Sequence, residues 1–235
     1  MTLESRIAWL AHFYTATGLV FGFLALLAVD AENIRGAFLW LFAAVVVDAS
    51  DGWLARALQV EKRLPSWSGA RLDDTVDYVT YVLVPAYLLY HVGAVAPSAA
   101  LPVISAILLS SAYGFASAEA KTSDHFFTGF PSYWNIVALY VFLARMPGWL
   151  NAAILLTLCG LVFVRTTYVY PSRMSRLRTV TIVAAATWGA LLLWMIWRLP
   201  NRSPGLLLVS LAFPAYYAVI SLAFHRQRQR GVTRS

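Results

Sequence analysis

Residues 48–77 read DASDGWLARALQVEKRLPSWSGARLDDTVD, and they place five aspartates at the junction of two long apolar stretches. The stretch before the junction covers about residues 34–54, and the stretch after it about 72–92. Each is long enough for a membrane helix, which needs about 20 mostly apolar residues. Because ionisable residues inside membrane helices are costly, they are functional candidates by default. The sequence therefore predicts a polar site between two membrane helices.

The rest of the chain is equally apolar. Of its 235 residues, 60% are hydrophobic and only 12% are charged, against roughly 25% charged in soluble domains. This composition excludes a soluble globular enzyme, and no linker or repeat divides the chain, so residues 1–235 are predicted to form a single integral membrane domain. We predict an all-α, polytopic bundle of about eight transmembrane helices, with extra C-terminal helices at about 180–224. The predicted spans are residues 7–29, 34–54, 72–92, 101–120, 130–146, 150–167, 180–197 and 206–224.

The distribution of positive charge predicts the orientation of these helices. With eight spans, fourteen of the 18 Lys and Arg residues fall on one side and four on the other. Lys and Arg are retained preferentially on the cytoplasmic side, so both termini and the aspartate-rich junction are predicted to face the cytoplasm. This asymmetry accounts for most of the net charge of +7. No basic stripe is interleaved with aromatic residues as single-strand binding requires, and we predict no nucleic-acid partner.

The aspartates have helical spacing. Asp48 and Asp51 are three residues apart, and Asp73 and Asp77 are four apart, so each pair shares a helix face, whereas Asp74 is rotated by about 100°. If the two helices are antiparallel neighbours, four carboxylates surround one cavity and repel one another strongly. All-oxygen ligands favour hard divalent cations. The spacing therefore predicts bound Mg²⁺ or Mn²⁺, with two ions neutralising four charges. Histidine ligands are not predicted, because no histidine has a companion at metal-ligand spacing.

Small and basic residues flank the acids. Gly52 and Ala55 remove bulk from one helix face, and Arg56 offers a fork for phosphate oxygens. Together with the metals, these residues indicate a site for a metal-bound diphosphate. In the alternative interpretation the small residues only pack helices and the acids pair with Arg56 and Arg71, but two cations cannot compensate five acids.

The pattern D-x-x-D-G-x-x-A-R at residues 48–56, followed by G-x-x-x-D-x-x-x-D at 69–77, resembles the signature of the CDP-alcohol phosphotransferase family. All eight signature positions are present. The departure is a longer gap, with twelve residues between Arg56 and Gly69. The inserted LPSWS at 64–68, the following LDDTVDYVTY at 72–81 and the stretch AKTSDHFFTGFPSYWN at 120–135 resemble the bacterial phosphatidylcholine synthase subfamily.

The resemblance implies transfer of a phosphatidyl group from CDP-diacylglycerol to the hydroxyl of choline, releasing CMP. It also implies a multi-pass protein of the bacterial inner membrane, an active site facing the cytoplasm, and a homodimer. In these roles Asp48, Asp51 and Asp73 hold the metals, and Asp77 completes the metal site and acts as general base. The CDP portion is contacted by Gly52, Ala55, Arg56 and Gly69.

Choline is a quaternary ammonium, which proteins usually bind with aromatic faces. The choline-binding candidates are Tyr78, Tyr81, Tyr133 and Trp134, with Glu119 as a negative charge. Each aromatic residue can equally belong to the membrane-interface belt, and Glu119 can equally pair with Lys121. The lipid-phosphate candidates are Lys121, Arg165, Arg173 and Arg176, which can instead only set topology.

Two other functions remain open at this stage. The general signature also suits inositol, serine or glycerol 3-phosphate as acceptor, although a phosphate-bearing acceptor should demand a basic cluster beside the acids. A divalent-cation transporter would also carry intramembrane carboxylates. Its acids should form a path through the bilayer, whereas these aspartates are predicted at one end.

Overall fold

The computed structural model describes residues 3–117, 126–164, 167–169 and 178–221. Over these ranges the fold is helical, apart from one two-stranded ribbon. The helices are α1 (Leu3–Asp30), α2 (Ile34–Ala57), α3 (Val60–Arg63), α4 (Gly69–Asp77), α5 (Val84–His91), α6 (Pro97–Ala116), α7 (Trp134–Ala144), α8 (Gly148–Leu161), α9 (Arg178–Trp197) and α10 (Pro204–Ser210). The prediction of an all-α fold is confirmed for the described residues, apart from this short ribbon.

The first two helices form a long hairpin. The loop between them ends at Asn33, whose side chain caps α2 by accepting a hydrogen bond from the Gly36 N–H at 2.9 Å. Such a cap satisfies one of the otherwise unpaired N–H groups at a helix start. α1 packs along α2 and also contacts α4. The N-terminal hairpin thus provides a surface against which the third predicted span is placed.

The third predicted span is one continuous helix in which a π-helical segment lies between two α-helical parts. Ser68 caps α4, which is followed by a π-helical segment at Tyr78–Leu83 and then by α5. Pro85 has no N–H to donate to the carbonyl four residues earlier. The wider turn is visible where the Val84 N–H donates to the carbonyl of Val79, five residues back. Single π-helical turns are frequent at functional sites, and this one begins directly after Asp77.

Five helices are long and apolar enough to cross a membrane, and they correspond to five predicted spans. These helices are Arg6–Asp30, Ile34–Ala57, Pro97–Ala116, Thr179–Trp197 and Pro204–Ser221. The other three predicted spans correspond to residues 69–91, which form α4, the π-helical segment and α5, and to the shorter apolar helices α7 and α8. The total of eight spans therefore stays a prediction.

Helices α7 and α8 are shorter than predicted, and both local backbone conformation and a tertiary contact are found at their ends. Ser132 and Arg145, which flank α7, both have positive φ angles, of 55° and 49°, a conformation that interrupts a right-handed helix. The carbonyl of Leu161 at the end of α8 accepts from the Phe130 N–H at 3.0 Å. Strands β1 (Phe126–Thr128) and β2 (Thr167–Val169) pair antiparallel beyond these helix ends.

The bundle has two polar ends. One end, here called the acidic end, contains Asp48 and Asp77. At the opposite end, the Tyr87 hydroxyl donates to Asp30 and the Asn151 side chain donates to the Ala94 carbonyl, so the end of α1 is bonded to α5, and the loop after α5 is bonded to α8. Ile34 and Asp48 are fourteen residues apart on α2, which makes about 21 Å of helix between the two ends. A continuous apolar core with Trp134, Leu88 and Ile107 fully buried fills the space between them.

Candidate active site

Three signature carboxylates converge at the acidic end. Asp48 on α2 and Asp73 and Asp77 on α4 each offer an oxygen atom, and these oxygens lie within 4.8 Å of one another. All three residues are half-buried. The spacing of four residues on α4 turns both of its carboxylates towards the same neighbour. The convergence predicted from the sequence is therefore present for these three residues.

The fourth signature acid, Asp51, has a different environment. It is 8% exposed and accepts a 2.7 Å hydrogen bond from the Thr15 hydroxyl of α1. One residue earlier on each helix, the hydroxyls of Tyr14 and Ser50 lie 2.7 Å apart. Two adjacent polar contacts thus fix the register between α1 and the acid-bearing part of α2.

Close packing of α1 also positions the acid-bearing helix α4. A Cβ atom at Gly18 would lie 2.5 Å from Val76 Cγ1, and one at Gly22 would lie 3.2 Å from Val79 Cγ1. Contacts that short are sterically unfavourable, so both positions need the small residue that is present. Since Val76 directly precedes Asp77, the distance between α1 and α4 determines where the Asp77 carboxylate lies.

A pair of tyrosines adjoins the acids. Tyr81, in the π-helical segment, is 7% exposed, and its hydroxyl donates to Asp48 Oδ2 at 2.6 Å. Its ring centroid lies 5.7 Å from that of Tyr133, with the rings tilted by 51°. Tyr133 is exposed at the entrance to α7. An accessible aromatic face is therefore one contact removed from the carboxylate cluster.

The small signature residues leave room for neighbouring side chains. A Cβ atom at Gly52 would lie 3.3 Å from Nη1 of Arg56, so the Arg56 guanidinium lies back over the bare backbone of Gly52. A Cβ atom at Gly69 would lie 3.0 Å from Cε1 of His12. Ala55 lies half-buried on the same helix as Arg56. The Arg56 guanidinium thus lies against the bare backbone of Gly52, and the His12 imidazole lies against that of Gly69.

His12 belongs to an aromatic cluster that the sequence did not indicate. His12 is 6% exposed, and its ring centroid lies 5.8 Å from that of Trp9 and 6.3 Å from that of Trp67. The Trp9 and Trp67 centroids are 5.0 Å apart. Trp67 comes from the inserted residues 57–68, so this insertion folds against α1 beside Gly69. The available signal was that His12 and Thr15 are three residues apart and share a helix face.

The carboxylate donor set fits a hard divalent cation. Mg²⁺ binds oxygen ligands at about 2.0–2.1 Å, so two ligands on opposite sides of one ion are about 4.2 Å apart. Carboxylate oxygens within 4.8 Å of one another are close to that spacing. Three negative charges in a half-buried site also need a counter-charge. Asp48, Asp73 and Asp77 are therefore suitable metal ligands.

Two other aromatic candidates are engaged in the helix packing. Trp134 is fully buried, and its indole N–H donates to the Ser111 hydroxyl at 2.7 Å. The Tyr78 hydroxyl donates to the Leu108 carbonyl at 2.9 Å, and its ring meets Phe115 edge-on. Five further candidates lie outside the described residues, namely Glu119, Lys121, Arg165, Arg173 and Arg176.

Comparison with known proteins places the chain in a family. Residues 8–159 match the family model for CDP-alcohol phosphatidyltransferase. A phosphatidylcholine synthase of Pseudomonas aeruginosa is 34% identical over 92% of this chain and 90% of its own length. Similar proteins of the same name occur in Legionella bozemanae, at 40% identity over 80% of this chain and 89% of the relative, and in Mesorhizobium japonicum, at 38% over 81% and 71%. The chain therefore belongs to the CDP-alcohol phosphatidyltransferase family and is an enzyme of that class.

Proposed function

We propose that this enzyme transfers the phosphatidyl group of CDP-diacylglycerol to the hydroxyl of choline, forming phosphatidylcholine and CMP. The observation that carries the proposal is the convergence of Asp48, Asp73 and Asp77, all signature positions of the matched family. The choice of choline is supported by relatives named phosphatidylcholine synthase.

In this proposal Asp48, Asp51 and Asp73 hold the metal, either Mn²⁺ or Mg²⁺ and as a pair of ions. When bound, the metal would stabilise negative charge on the diphosphate and on the leaving CMP. Asp77 completes the site and takes the proton from the choline hydroxyl, because an alcohol is a weak nucleophile until it is deprotonated. Tyr81 and Thr15 keep Asp48 and Asp51 in fixed orientations through their hydrogen bonds.

The CDP portion occupies the face left bare by Gly52, Ala55 and Gly69. There the guanidinium of Arg56 can pair with a phosphate oxygen, since it already lies over Gly52 and is suited to bidentate phosphate recognition. The absence of side chains at 52 and 69 permits the nucleotide to approach the backbone. Lys121, Arg165, Arg173 and Arg176 are proposed to meet the lipid phosphate.

Choline is proposed to bind against the aromatic residues that adjoin the acids. The Tyr133 face is accessible and stands beside Tyr81, and a cation–π contact is worth about 0.5–2 kcal/mol. Tyr78 and Trp134 would support this wall from behind, because both are held in the helix packing. Glu119 remains the proposed negative charge for the ammonium.

The proposed setting is the bacterial inner membrane, with eight spans, both termini in the cytoplasm and a homodimeric assembly. Choline and CMP would exchange through cytosolic water at the acidic end, while the acyl chains remain in lipid. Transport of a divalent cation is less consistent with the described residues. At the opposite end their carboxylates are Asp30 and Glu32, about 21 Å of helix away from Asp48.

The deciding experiment measures CMP release by purified protein in liposomes with CDP-diacylglycerol and Mn²⁺. Choline, serine, inositol and glycerol 3-phosphate are supplied separately, and the lipid product is identified by mass spectrometry. We expect CMP release that depends on choline and on metal. CMP release with another acceptor and none with choline would move the enzyme to a different specificity within the same reaction class.

A further inference from the structure

A group of arginines lies at the opposite end of the bundle from the acids. Arg145 follows α7, Arg198 follows α9, and Arg202 lies in the loop before α10. Arg198, Asn201, Arg202 and Ser203 border a shallow surface recess that is also lined by Leu143, Met195 and Leu206. We call this feature, including Arg145, the basic recess.

Arg202 is held in a fixed orientation and still has an unused donor. Its Nη1 donates to the Phe142 carbonyl at 2.6 Å, and its guanidinium carbon lies 4.2 Å from the centre of the Phe142 ring. Its Nε atom is buried and has no hydrogen-bond partner among the described residues. A buried N–H without an acceptor is unfavourable. The contacts with Phe142 thus hold the Arg202 guanidinium in place at the edge of the recess without pairing its charge.

The positive charge of the recess is not compensated by the described part of the chain. None of the three arginines forms an ion pair with a described carboxylate, and Asp30 at this end instead accepts from Tyr87. Burial and the neighbouring Arg145 guanidinium both lower the pKa of Arg202. Because an arginine stays protonated in proteins, an anion bound beside these guanidinium groups would reduce their mutual repulsion.

The position of the recess indicates which anion is available. Trp149, Trp194 and Trp197 are 71%, 54% and 63% exposed, and they lie at the same end, at the start of α8 and the end of α9. Exposed tryptophans of membrane proteins concentrate at the level of the lipid headgroups. The recess thus lies at the depth of phospholipid phosphates. The charge bias predicts few Lys and Arg residues on this side. The preference of positive charge for the cytoplasmic side therefore does not explain these arginines.

We propose that the basic recess binds the phosphate of an anionic phospholipid in the leaflet opposite to the active site. The phosphate oxygens would accept from the exposed Arg198 and from the part of the Arg202 guanidinium that borders the recess, and the acyl chains would lie against the exposed faces of α9 and α10. The site is separate from the carboxylate cluster and does not rest on the proposed function. Free phosphate offers the same chemistry, so the test must separate these two sources.

The test measures lipid binding by purified protein, using native mass spectrometry and thermal midpoints. The probes are phosphatidylcholine alone, phosphatidylcholine with phosphatidylglycerol, and inorganic phosphate. The variant R198Q, combined with R145Q, removes two charges from exposed side chains that make no hydrogen bond within the described residues. The matched control is R35Q, an exposed arginine at the start of α2, and R202Q is a second variant.

We expect phosphatidylglycerol to bind and to raise the thermal midpoint of the unmodified protein and of R35Q. Its apparent affinity should fall about tenfold or more in the R145Q/R198Q protein, the change expected when one charge-assisted hydrogen bond is lost. CMP release in detergent should be unchanged. Equal phosphatidylglycerol affinity in both proteins would overturn the site. Saturation by inorganic phosphate at matched concentration would overturn its assignment to lipid.

Discussion

At the scale of single residues, the two carboxylates of α2 accept hydrogen bonds from donors on two different helices. Asp48 accepts from Tyr81 of the π-helical segment, and Asp51 accepts from Thr15 of α1. Each donor comes from a different helix, so the carboxylates are oriented before any ligand arrives. Groups that hydrogen-bond metal ligands in this way orient them and tune the metal. The hydroxyls of Tyr81 and Thr15 are therefore expected to affect metal binding more than substrate binding.

The first prediction concerns Tyr81→Phe, which removes the donor to Asp48 and keeps the ring. The Mn²⁺ concentration for half-maximal CMP release should rise by about 10- to 100-fold, the usual cost of losing a hydrogen bond to a metal ligand. The KM for choline should change little. Tyr87→Phe is the matched control, because it removes a tyrosine donor to Asp30 at the opposite end. A raised KM for choline with an unchanged metal requirement would instead make Tyr81 a choline contact.

The second prediction concerns Asp77→Asn, which keeps the shape of the side chain and removes its basicity. CMP release should fall at least about 100-fold, because general-base catalysis contributes that much or more, while CDP-diacylglycerol binding should remain substantial. Asp74→Asn, the neighbouring change outside the three-carboxylate cluster, should retain most of the activity. Turnover of the Asp77→Asn protein close to the unmodified rate would show that the base is another group.

The residues of the site differ in how far the sequence reveals them. The spacing of Asp48, Asp73 and Asp77 predicts their convergence once the two helices are taken as antiparallel neighbours, because helix periodicity places Asp73 and Asp77 on one face. Thr15 and Tyr81 were not predicted as donors to aspartates, since those contacts depend on the rotation of α1 and on the π-helical offset after Asp77. His12 was missed for the same reason. Its burial depends on Trp67, which comes from an insertion without periodicity.

At the scale of helices, α1 sets the geometry of the site although it carries no signature residue. Its hydroxyls fix the register of α2, and its glycines allow α4 and the π-helical segment to approach closely. In membranes, helix association relies on such small residues and close packing. The distance between α1 and α4 should therefore control both stability and metal binding.

The third prediction concerns Gly18→Ala, which would place a methyl group 2.5 Å from Val76 Cγ1. We expect a loss of about 1–3 kcal/mol in unfolding free energy, typical of overpacking. The metal requirement should also rise, because Val76 precedes Asp77. The double change Gly18→Ala with Val76→Ala should recover most of both effects. Thermal midpoints and Mn²⁺ titrations of the two proteins provide the measurement.

The control for this change is Gly189→Ala in α9, where a Cβ atom would meet nothing within 4 Å. It should leave stability unchanged or increase it by about 0.5–1 kcal/mol, because alanine is favoured over glycine inside a helix. If Gly18→Ala behaves like Gly189→Ala, the close approach of α1 and α4 is not needed by the site.

Helix boundaries were predictable where apolar runs end at polar breaks, and not where tertiary contacts end them. The predicted spans 7–29 and 34–54 match α1 and α2 to within a few residues. The predicted span 150–167 continues past Leu161, where the carbonyl is taken by the Phe130 N–H. Residues 162–164 are apolar, so composition gives no reason to stop there. The Leu161 carbonyl also accepts from the Val164 N–H at 3.3 Å, and the Phe130 donor that joins it comes from a different part of the chain.

At the scale of the whole molecule, charge is divided between the two ends of the bundle. The carboxylate cluster lies at one end, and the basic recess lies at the other, where the charge bias predicts only four of the 18 Lys and Arg residues. Five helices are long and apolar enough to cross a membrane. Helices α7 and α8 decide the topology, because they either add a further pair of crossings or do not. Their 11 and 14 residues make only about 16 and 21 Å of helix, against about 30 Å of hydrocarbon.

The fourth prediction therefore concerns topology and uses the chain's single cysteine. Cys159 is buried, so a Cys159→Ala protein gives a background for cysteines introduced one at a time. A membrane-impermeant maleimide should reach Glu61→Cys from the cytoplasmic side only, and Glu32→Cys and Asn201→Cys from the other side only. The decisive position is Pro147→Cys between α7 and α8. With eight spans it is labelled together with residues 32 and 201, because Gly148 packs against Ala96 in the loop after α5. Labelling of Pro147→Cys from the cytoplasmic side would make α7 and α8 a re-entrant pair and reduce the count to six.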